Sequence, residues 1–100
     1  MGLIDSHLNQ IQRLCADHRV KNLYSFGSVN TTRFDTHSDV DLVVDFDIED
    51  PLDYCDHYFA LKFELEKVLN RNIDLLENKA IRNSYFRDRI EKSKVLIYGK

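Results

Sequence analysis

The sequence is poor in residues that break, cross-link or disorder a chain. Its 100 residues include three Gly, one Pro and no Trp, which argues against a long linker or a disordered segment. The two cysteines, Cys15 and Cys55, are far apart and form no C-x-x-C pair, so we expect reduced thiols and no disulfide. With 43% hydrophobic residues, the length suits a single domain over residues 1–100.

Two further absences exclude classes of partner. Seventeen acidic residues against 14 basic ones give a formal net charge of −3, so the chain lacks the positive charge with which nucleic-acid-binding proteins attract phosphate backbones. No apolar stretch approaches the roughly 20 residues of a membrane-spanning helix, and no basic region followed by an apolar run stands at the N-terminus. We expect a cytoplasmic protein without a nucleic-acid or membrane partner.

The spacing of apolar residues predicts the helices. Residues 3–17 carry apolar side chains three and four positions apart, which indicates one helix with a core-facing stripe. The segment "EDPLDYCDHYFALKFELEKVLN" places Asp50 as an N-cap before Pro51 at the first helical position, and predicts a long helix across a sheet. Its buried stripe is expected to widen through four residues, Cys55, Phe59, Phe63 and Leu69. The stretch "SYFRDRIEKS" predicts a shorter helix.

Short runs of β-branched and aromatic residues predict the strands. "NLYSF", "VDLVVDF", "RNIDLLEN" and "KVLIYGK" read as strands in that order, with a helical turn beginning at Ser28 after the first. The predicted fold class is α/β (α+β), a small mixed sheet of about four strands with helices packed over it.

Acidic side chains interrupt two of these strands. Asp39 and Asp41, two residues apart, project to the same side of their strand, and Asp74 lies in the next strand, flanked by apolar residues. Carboxylates held so close raise a pKa or require a cation, and hard oxygen ligands of this kind bind Mg²⁺ together with substrate phosphates. The D-x-D pattern alone is also compatible with a solvated sheet face.

A glycine and a serine end the strand that precedes these acids. Gly27 lets the backbone approach a ligand closely, and a helical turn beginning at Ser28 would direct N–H groups and a hydroxyl at an anion. Alone, the pair is better explained as a turn with an N-capping serine. Together with Asp39, Asp41 and Asp74, it predicts a phosphate-binding corner beside a metal site.

The pattern G-S-x10-D-x-D, followed by a third acid in a later strand, resembles the polymerase-β-type nucleotidyltransferase superfamily. The stretch "GSVNTTRFDTHSDVDLVVDF" and the length resemble its minimal nucleotidyltransferase (MNT) branch, the antitoxins of HEPN–MNT toxin–antitoxin pairs, over essentially the whole chain. The resemblance implies a polymerase-β-like core that uses ATP and two Mg²⁺ ions. Gly27 and Ser28 would hold the triphosphate, Asp39 and Asp41 would bind metal, and Asp74 would bind metal and help to deprotonate the acceptor hydroxyl.

The resemblance also implies a biological reaction, the transfer of AMP to a tyrosine of a partner HEPN toxin, which silences it. Two alternatives stay open: an antitoxin that acts by binding without catalysis, and a nucleotidyltransferase that modifies a small molecule. One departure from many relatives is the bulkier loop after Ser28, although Arg33 keeps its place. Arg33 either steadies this loop or contacts a phosphate, or it pairs with Asp35 or the strand acids.

Positive charge is concentrated near the C-terminus. The residues are Arg82, Arg87, Arg89, Lys92 and Lys94. They form either the solvated side of a helix or a surface that meets the triphosphate or an acidic partner. Tyr85 and Phe86, within this segment, are expected to pack into the core rather than to stack on a base.

Overall fold

The structure, a computed structural model, describes residues 3–27 and 39–99. Its elements in chain order are α1 (Leu3–Ser6), α2 (Leu8–Asp17), β1 (Val20–Phe26), β2 (Val40–Phe46), α3 (Pro51–Leu69), β3 (Ile73–Glu77), a 3-10 turn (Asn78–Ala80), α4 (Ser84–Ser93) and β4 (Val95–Tyr98). The helical turn predicted at Ser28 and the predicted loop arginine, Arg33, lie outside the described residues. No helix within the described ranges is long and apolar enough to cross a membrane.

The strands form one mixed sheet in the order β3-β2-β1-β4. Strand β1 pairs antiparallel with both β2 and β4, whereas β2 pairs parallel with β3. A parallel pair needs a crossover connection, and α3 supplies it. The predicted α/β class with a small mixed sheet of four strands is therefore confirmed.

One face of the sheet packs against α2 and α3 and carries the main core. In β2, Val40, Leu42 and Val44 point into it, in the predicted alternation. They pack against α3 through Leu61 and Leu65, which are both fully buried. Since alternate residues of a strand face opposite ways, the acids of β2 and β3 lie on the other face of the sheet.

The first helical segment is interrupted, so the prediction of one helix over residues 3–17 is wrong in this detail. At His7 the backbone N–H donates to Ile4 O, three residues earlier, at 3.1 Å. The carbonyl of Leu3, which a continuous helix would pair with that N–H, instead lies 3.1 Å from His7 Nδ1. The side chain of His7 therefore replaces one helical hydrogen bond and separates α1 from α2.

Helix α3 begins as predicted, with the side chain of Asp50 accepting from Asp53 N at 3.1 Å and Pro51 in the first turn. The predicted width of its buried stripe is wrong. Leu69 is buried, but Phe59 and Phe63 are 50% and 56% exposed, and Cys55 is exposed as well. The sheet and α2 cover only one side of α3, and these three residues lie on the uncovered side.

Strand β3 is at the edge of the sheet, and side chains of α3 bind two of its outward-facing backbone groups. The carboxylate of Glu66 accepts a hydrogen bond from Ile73 N at 3.1 Å, and the hydroxyl of Tyr58 donates to Leu75 O. Because an unpaired edge invites pairing with another chain, these two contacts protect the edge next to the acidic residue Asp74.

The contact of Glu66 predicts a pH-dependent stability. The hydrogen bond from the backbone of Ile73, with help from Lys62, holds the pKa of Glu66 below its ordinary value of 4.5. A lowered folded-state pKa contributes stability above the ordinary pKa, and this is lost as the pH falls through the lower value. We expect Glu66→Ala to lower the free energy of unfolding by about 1 kcal/mol at pH 7.

Denaturant unfolding of both proteins from pH 7 to pH 3 measures this difference. It should shrink below pH 4.5, the ordinary pKa of this carboxyl. Lys67→Ala, an exposed position of the same helix, is the matched control. A loss on Glu66→Ala that is equally large at both ends of the pH range would contradict this assignment.

Candidate active site

The register of the parallel strands places Asp41 of β2 directly beside Asp74 of β3. On its other side, Asp41 is paired with Phe26, the last residue of β1. Asp39 stands just before β2 and is exposed, as is Asp74, whereas Asp41 is half-buried. The end of β1 and the starts of β2 and β3 thus meet at one end of the sheet, with the order Gly27, Asp41, Asp74 across it.

Gly27 is in direct contact with this acidic group. Its φ of +76° is a left-handed conformation that side chains disfavour, and a β-carbon at this position would lie 2.8 Å from Asp41 Oδ2. The sequence therefore needs glycine here for two reasons, the backbone conformation and the close approach of a carboxylate.

The electrostatics of the site favour a cation. Burial raises the pKa of Asp41 above its ordinary value, and the charges of Asp74 and Asp39 raise it further. Both causes disfavour the charged form of this carboxyl. A bound positive charge would relieve the repulsion between these carboxylates.

The carboxylates of this site suit the way in which proteins usually bind Mg²⁺. Among residues 3–27 and 39–99, no three or more His, Cys, Asp or Glu side chains are arranged to enclose a metal ion. Mg²⁺, however, is commonly held by one or two carboxylates together with substrate phosphates. Asp41 and Asp74 offer hard oxygen atoms on adjacent strands, and polyphosphate oxygens would complete the set.

Helix α4 crosses the same face of the sheet as the acids. A second apolar cluster, Phe26, Val43 and Ile90, joins α4 to β1 and β2 beside Asp41. The guanidinium of Arg87 holds the segment that leads into α4. It donates to Asn78 O at 2.7 Å and to Ile81 O at 2.9 Å.

Three of the basic residues near the C-terminus contact groups within the chain. Arg87 binds backbone carbonyls, while Lys92 and Lys94 form short-range ion pairs along α4, at 3.0 Å with Asp88 and 2.9 Å with Glu91.

The expectation that Tyr85 and Phe86 pack into the core is wrong. Tyr85 is 72% exposed and Phe86 39% exposed, because α4 buries only Ile90.

Of the six residues predicted for the site, four are in the described part of the chain and lie together. These are Gly27, Asp39, Asp41 and Asp74. Ser28 and Arg33 fall outside the described residues, and the roles of all six stay predictions. Sequence reasoning places Phe26 in the first strand but does not indicate that it pairs with Asp41.

The chain belongs to the polymerase beta nucleotidyltransferase family, because the family described as "Polymerase beta, Nucleotidyltransferase" matches residues 9–100. A protein of Methanocaldococcus jannaschii, named as a candidate protein adenylyltransferase, is 36% identical over 81 residues, which are 81% of this chain and 78% of that protein. The predicted enzyme class, a nucleotidyltransferase, is confirmed.

Solved structures share the fold. A candidate minimal nucleotidyltransferase matches with a TM-score of 0.77 at 25% identity, over 95% of both chains. A toxin–antitoxin structure with AMP-PNP matches with a TM-score of 0.72 at 20% identity, over 93% of this chain and 73% of that one. A complex of tri-AMPylated Shewanella oneidensis HEPN toxin with MNT antitoxin matches with a TM-score of 0.66 at 18% identity, over 96% and 72% of the chains.

Proposed function

We propose that this nucleotidyltransferase transfers AMP from ATP, with Mg²⁺, to a tyrosine hydroxyl of a HEPN-type toxin and thereby acts as its antitoxin. The observation that carries the proposal is the adjacent pair Asp41 and Asp74 with Gly27 against Asp41 Oδ2. The name of the 36% identical relative supports protein adenylylation. The AMPylated toxin in one structural neighbour supports a HEPN partner. Two free thiols suit a reducing cytoplasm, where ATP is available.

The order of groups across the sheet suggests how the reaction is oriented. In nucleotidyl transfer the attacking oxygen and the leaving group lie roughly in line on opposite sides of the α-phosphorus. Gly27, with Ser28 and Arg33 after it, would hold the β- and γ-phosphates at the β1 side. The acceptor then arrives from the β3 side, where Asp74 lies.

The step itself exchanges one bond for another. The tyrosine oxygen forms a bond to the α-phosphorus, the bond from this phosphorus to the bridging oxygen of the β-phosphate breaks, and pyrophosphate leaves. Asp74 accepts the hydroxyl proton, and Asp39, Asp41 and Asp74 would hold Mg²⁺. When bound, Mg²⁺ offsets negative charge on the attacking and leaving oxygens. The half-buried setting of Asp41 strengthens these charge interactions relative to bulk water.

The test is transfer of label to a HEPN-type toxin supplied as the candidate partner. The purified pair is incubated with Mg²⁺ and ATP labelled at either the α- or the γ-phosphate. We expect α-label on the toxin, a mass increase of whole AMP units located on tyrosine, and loss of toxin activity. Label from the γ-phosphate would indicate a kinase instead, and no label from either position would reject the proposal.

A second candidate is a binding antitoxin without catalysis, and the uncovered side of α3 favours it. Phe59 and Phe63 are exposed there without packing against the sheet, as partner-binding residues often are. The double variant Asp39→Asn/Asp41→Asn separates the two functions. Protection of cells by this variant would support binding alone, and loss of protection would support AMP transfer.

A further inference from the structure

We propose that a hollow between β3 and the start of α4 receives the aromatic ring of the acceptor tyrosine, an inference that rests on the proposed function. This acceptor hollow has a volume of about 270 Å³. It is lined by Leu76, Glu77, Ala80, Ile81, Arg82, Asn83 and Phe86. None of these residues has been placed in the phosphate or metal machinery above.

The position of the acceptor hollow matches the direction from which an acceptor must come. Leu76 follows Asp74 by two residues on β3, so both side chains project from the same face of the sheet, about 7 Å apart along the strand. The leaving pyrophosphate is assigned to Gly27, on the opposite side of Asp41. In-line attack therefore places the acceptor at β3. A tyrosine side chain spans the distance from a ring beside Leu76 to a hydroxyl beside Asp74.

The walls of the acceptor hollow suit an aromatic ring. Leu76 and Ile81 provide aliphatic surface, and they are anchored to the cluster of Phe26, Val43 and Ile90. Phe86 is 39% exposed and lies edge-on to Phe26, with 6.1 Å between ring centroids. Offset and edge-to-face contacts with such a ring favour a second aromatic ring over a serine or threonine side chain.

The rim suits an acidic segment around the tyrosine. Arg82 is exposed and forms no ion pair or hydrogen bond with its side chain to any residue within 3–27 and 39–99. Nearby Arg87 is already bound to the carbonyls of Asn78 and Ile81, so it is not free to bind a partner. A guanidinium in this setting recognises a carboxylate or a backbone carbonyl next to the acceptor residue.

Direct binding tests the inference without requiring transfer. The full chain with Mg²⁺ and AMP-PNP is titrated with N-acetyl-tyrosinamide or N-acetyl-serinamide while amide NMR signals are recorded. We expect tyrosinamide to shift the signals of Leu76, Ile81 and Phe86, and serinamide to leave them unchanged. Ala80→Phe fills the acceptor hollow without removing a core contact, and it should abolish these shifts while the melting temperature stays the same.

Kinetics with the HEPN-type toxin give the second readout. Phe86→Ala and Ala80→Phe should raise KM for the toxin by at least about tenfold, while the affinity for AMP-PNP stays unchanged. Tyr85→Ala, at the exposed neighbouring position, is the matched control and should leave both quantities unchanged. A loss of AMP-PNP affinity in the two hollow variants would mean that the adenine base occupies this place, and it would overturn the inference.

Two outcomes separate the transfer reaction from the binding of the acceptor tyrosine in the acceptor hollow. If the wild-type protein labels no toxin but tyrosinamide still shifts Leu76, Ile81 and Phe86, only the assigned reaction is wrong. If the toxin is labelled but tyrosinamide shifts none of these residues, the acceptor binds elsewhere and the inference is wrong.

Discussion

Asp41→Asn is expected to reduce AMP transfer by a factor on the order of 10²–10³ while it raises the melting temperature of the protein. The activity is lost because the amide replaces the charged oxygen that lies between Gly27 and Asp74. Stability rises because Asn removes a half-buried charge that two neighbouring carboxylates repel. The two changes in opposite directions identify a residue kept for function at a cost in stability.

The sign of the stability change follows from the direction of the pKa shift. A carboxyl whose folded-state pKa is raised favours folding below its ordinary pKa, here 3.8, and this contribution is lost as the pH rises through the folded value. Above that folded value the ionised Asp41 is therefore destabilising, and solvent screening keeps the effect small. Melting curves of both proteins should differ at pH 7 and converge below pH 3.8, the ordinary pKa of this carboxyl.

Asp45→Asn is the matched control for this experiment. Asp45 lies on the same strand and the same face as Asp41, paired with Asn22 of β1, away from Asp74 and Gly27. We expect it to keep full transfer activity. Equal losses in the two variants would show that the general negative charge of this face, rather than the position of Asp41, supports the reaction.

Gly27→Ala is expected to have the second largest effect, on both stability and activity. The left-handed φ of +76° costs an alanine about 1 kcal/mol, and its β-carbon would lie 2.8 Å from Asp41 Oδ2. Since that carboxylate must then move, we expect a total loss of about 2 kcal/mol, which lowers the melting temperature by about 10 °C. Transfer per folded molecule should fall at least about tenfold, because an acid is displaced.

Two controls separate the effect of backbone strain at Gly27 from the effect of displacing the Asp41 carboxylate. Gly99 also has a positive φ, +99°, and a β-carbon there would meet Lys21 O at 2.3 Å, so Gly99→Ala should destabilise the fold but spare transfer per folded molecule. In the double variant Gly27→Ala/Asp41→Ala the clashing carboxylate is absent, so Gly27→Ala should cost less stability in an Asp41→Ala background than in the wild-type protein. An equal cost in both backgrounds would contradict a direct contact between Gly27 and Asp41.

The sequence predicted the parts of the site that depend on local pattern. Because side chains alternate along a strand, Asp41 and the buried Leu42 lie on opposite faces of the sheet. Asp74 and the buried Leu75 do so for the same reason. The pairing of Asp41 with Asp74 could not be derived in this way. It depends on the register of two parallel strands joined through α3, and a shift by two residues would keep both buried faces but separate the two acids.

The wrong predictions of burial on α3 and α4 have a common physical origin. Phe59 and Phe86 were assigned to the core because they are large and apolar, yet both are well exposed. A sheet of four strands has too little area to cover every apolar side of α3 and α4. The contact of His18 with His57, 3.0 Å between Nδ1 atoms, likewise joins residues that no sequence spacing connects.

Gly27, Asp41 and Asp74 are expected to bind a divalent cation and a nucleoside triphosphate together. Mn²⁺, added with AMP-PNP to isotopically labelled protein, tests this expectation because the ion broadens NMR signals close to its binding site. We expect the earliest broadening at the amides of Gly27, Asp41 and Asp74, with that of Asp45 affected later. Early broadening near His18 and His57, with Gly27 and Asp74 unaffected, would contradict the expectation.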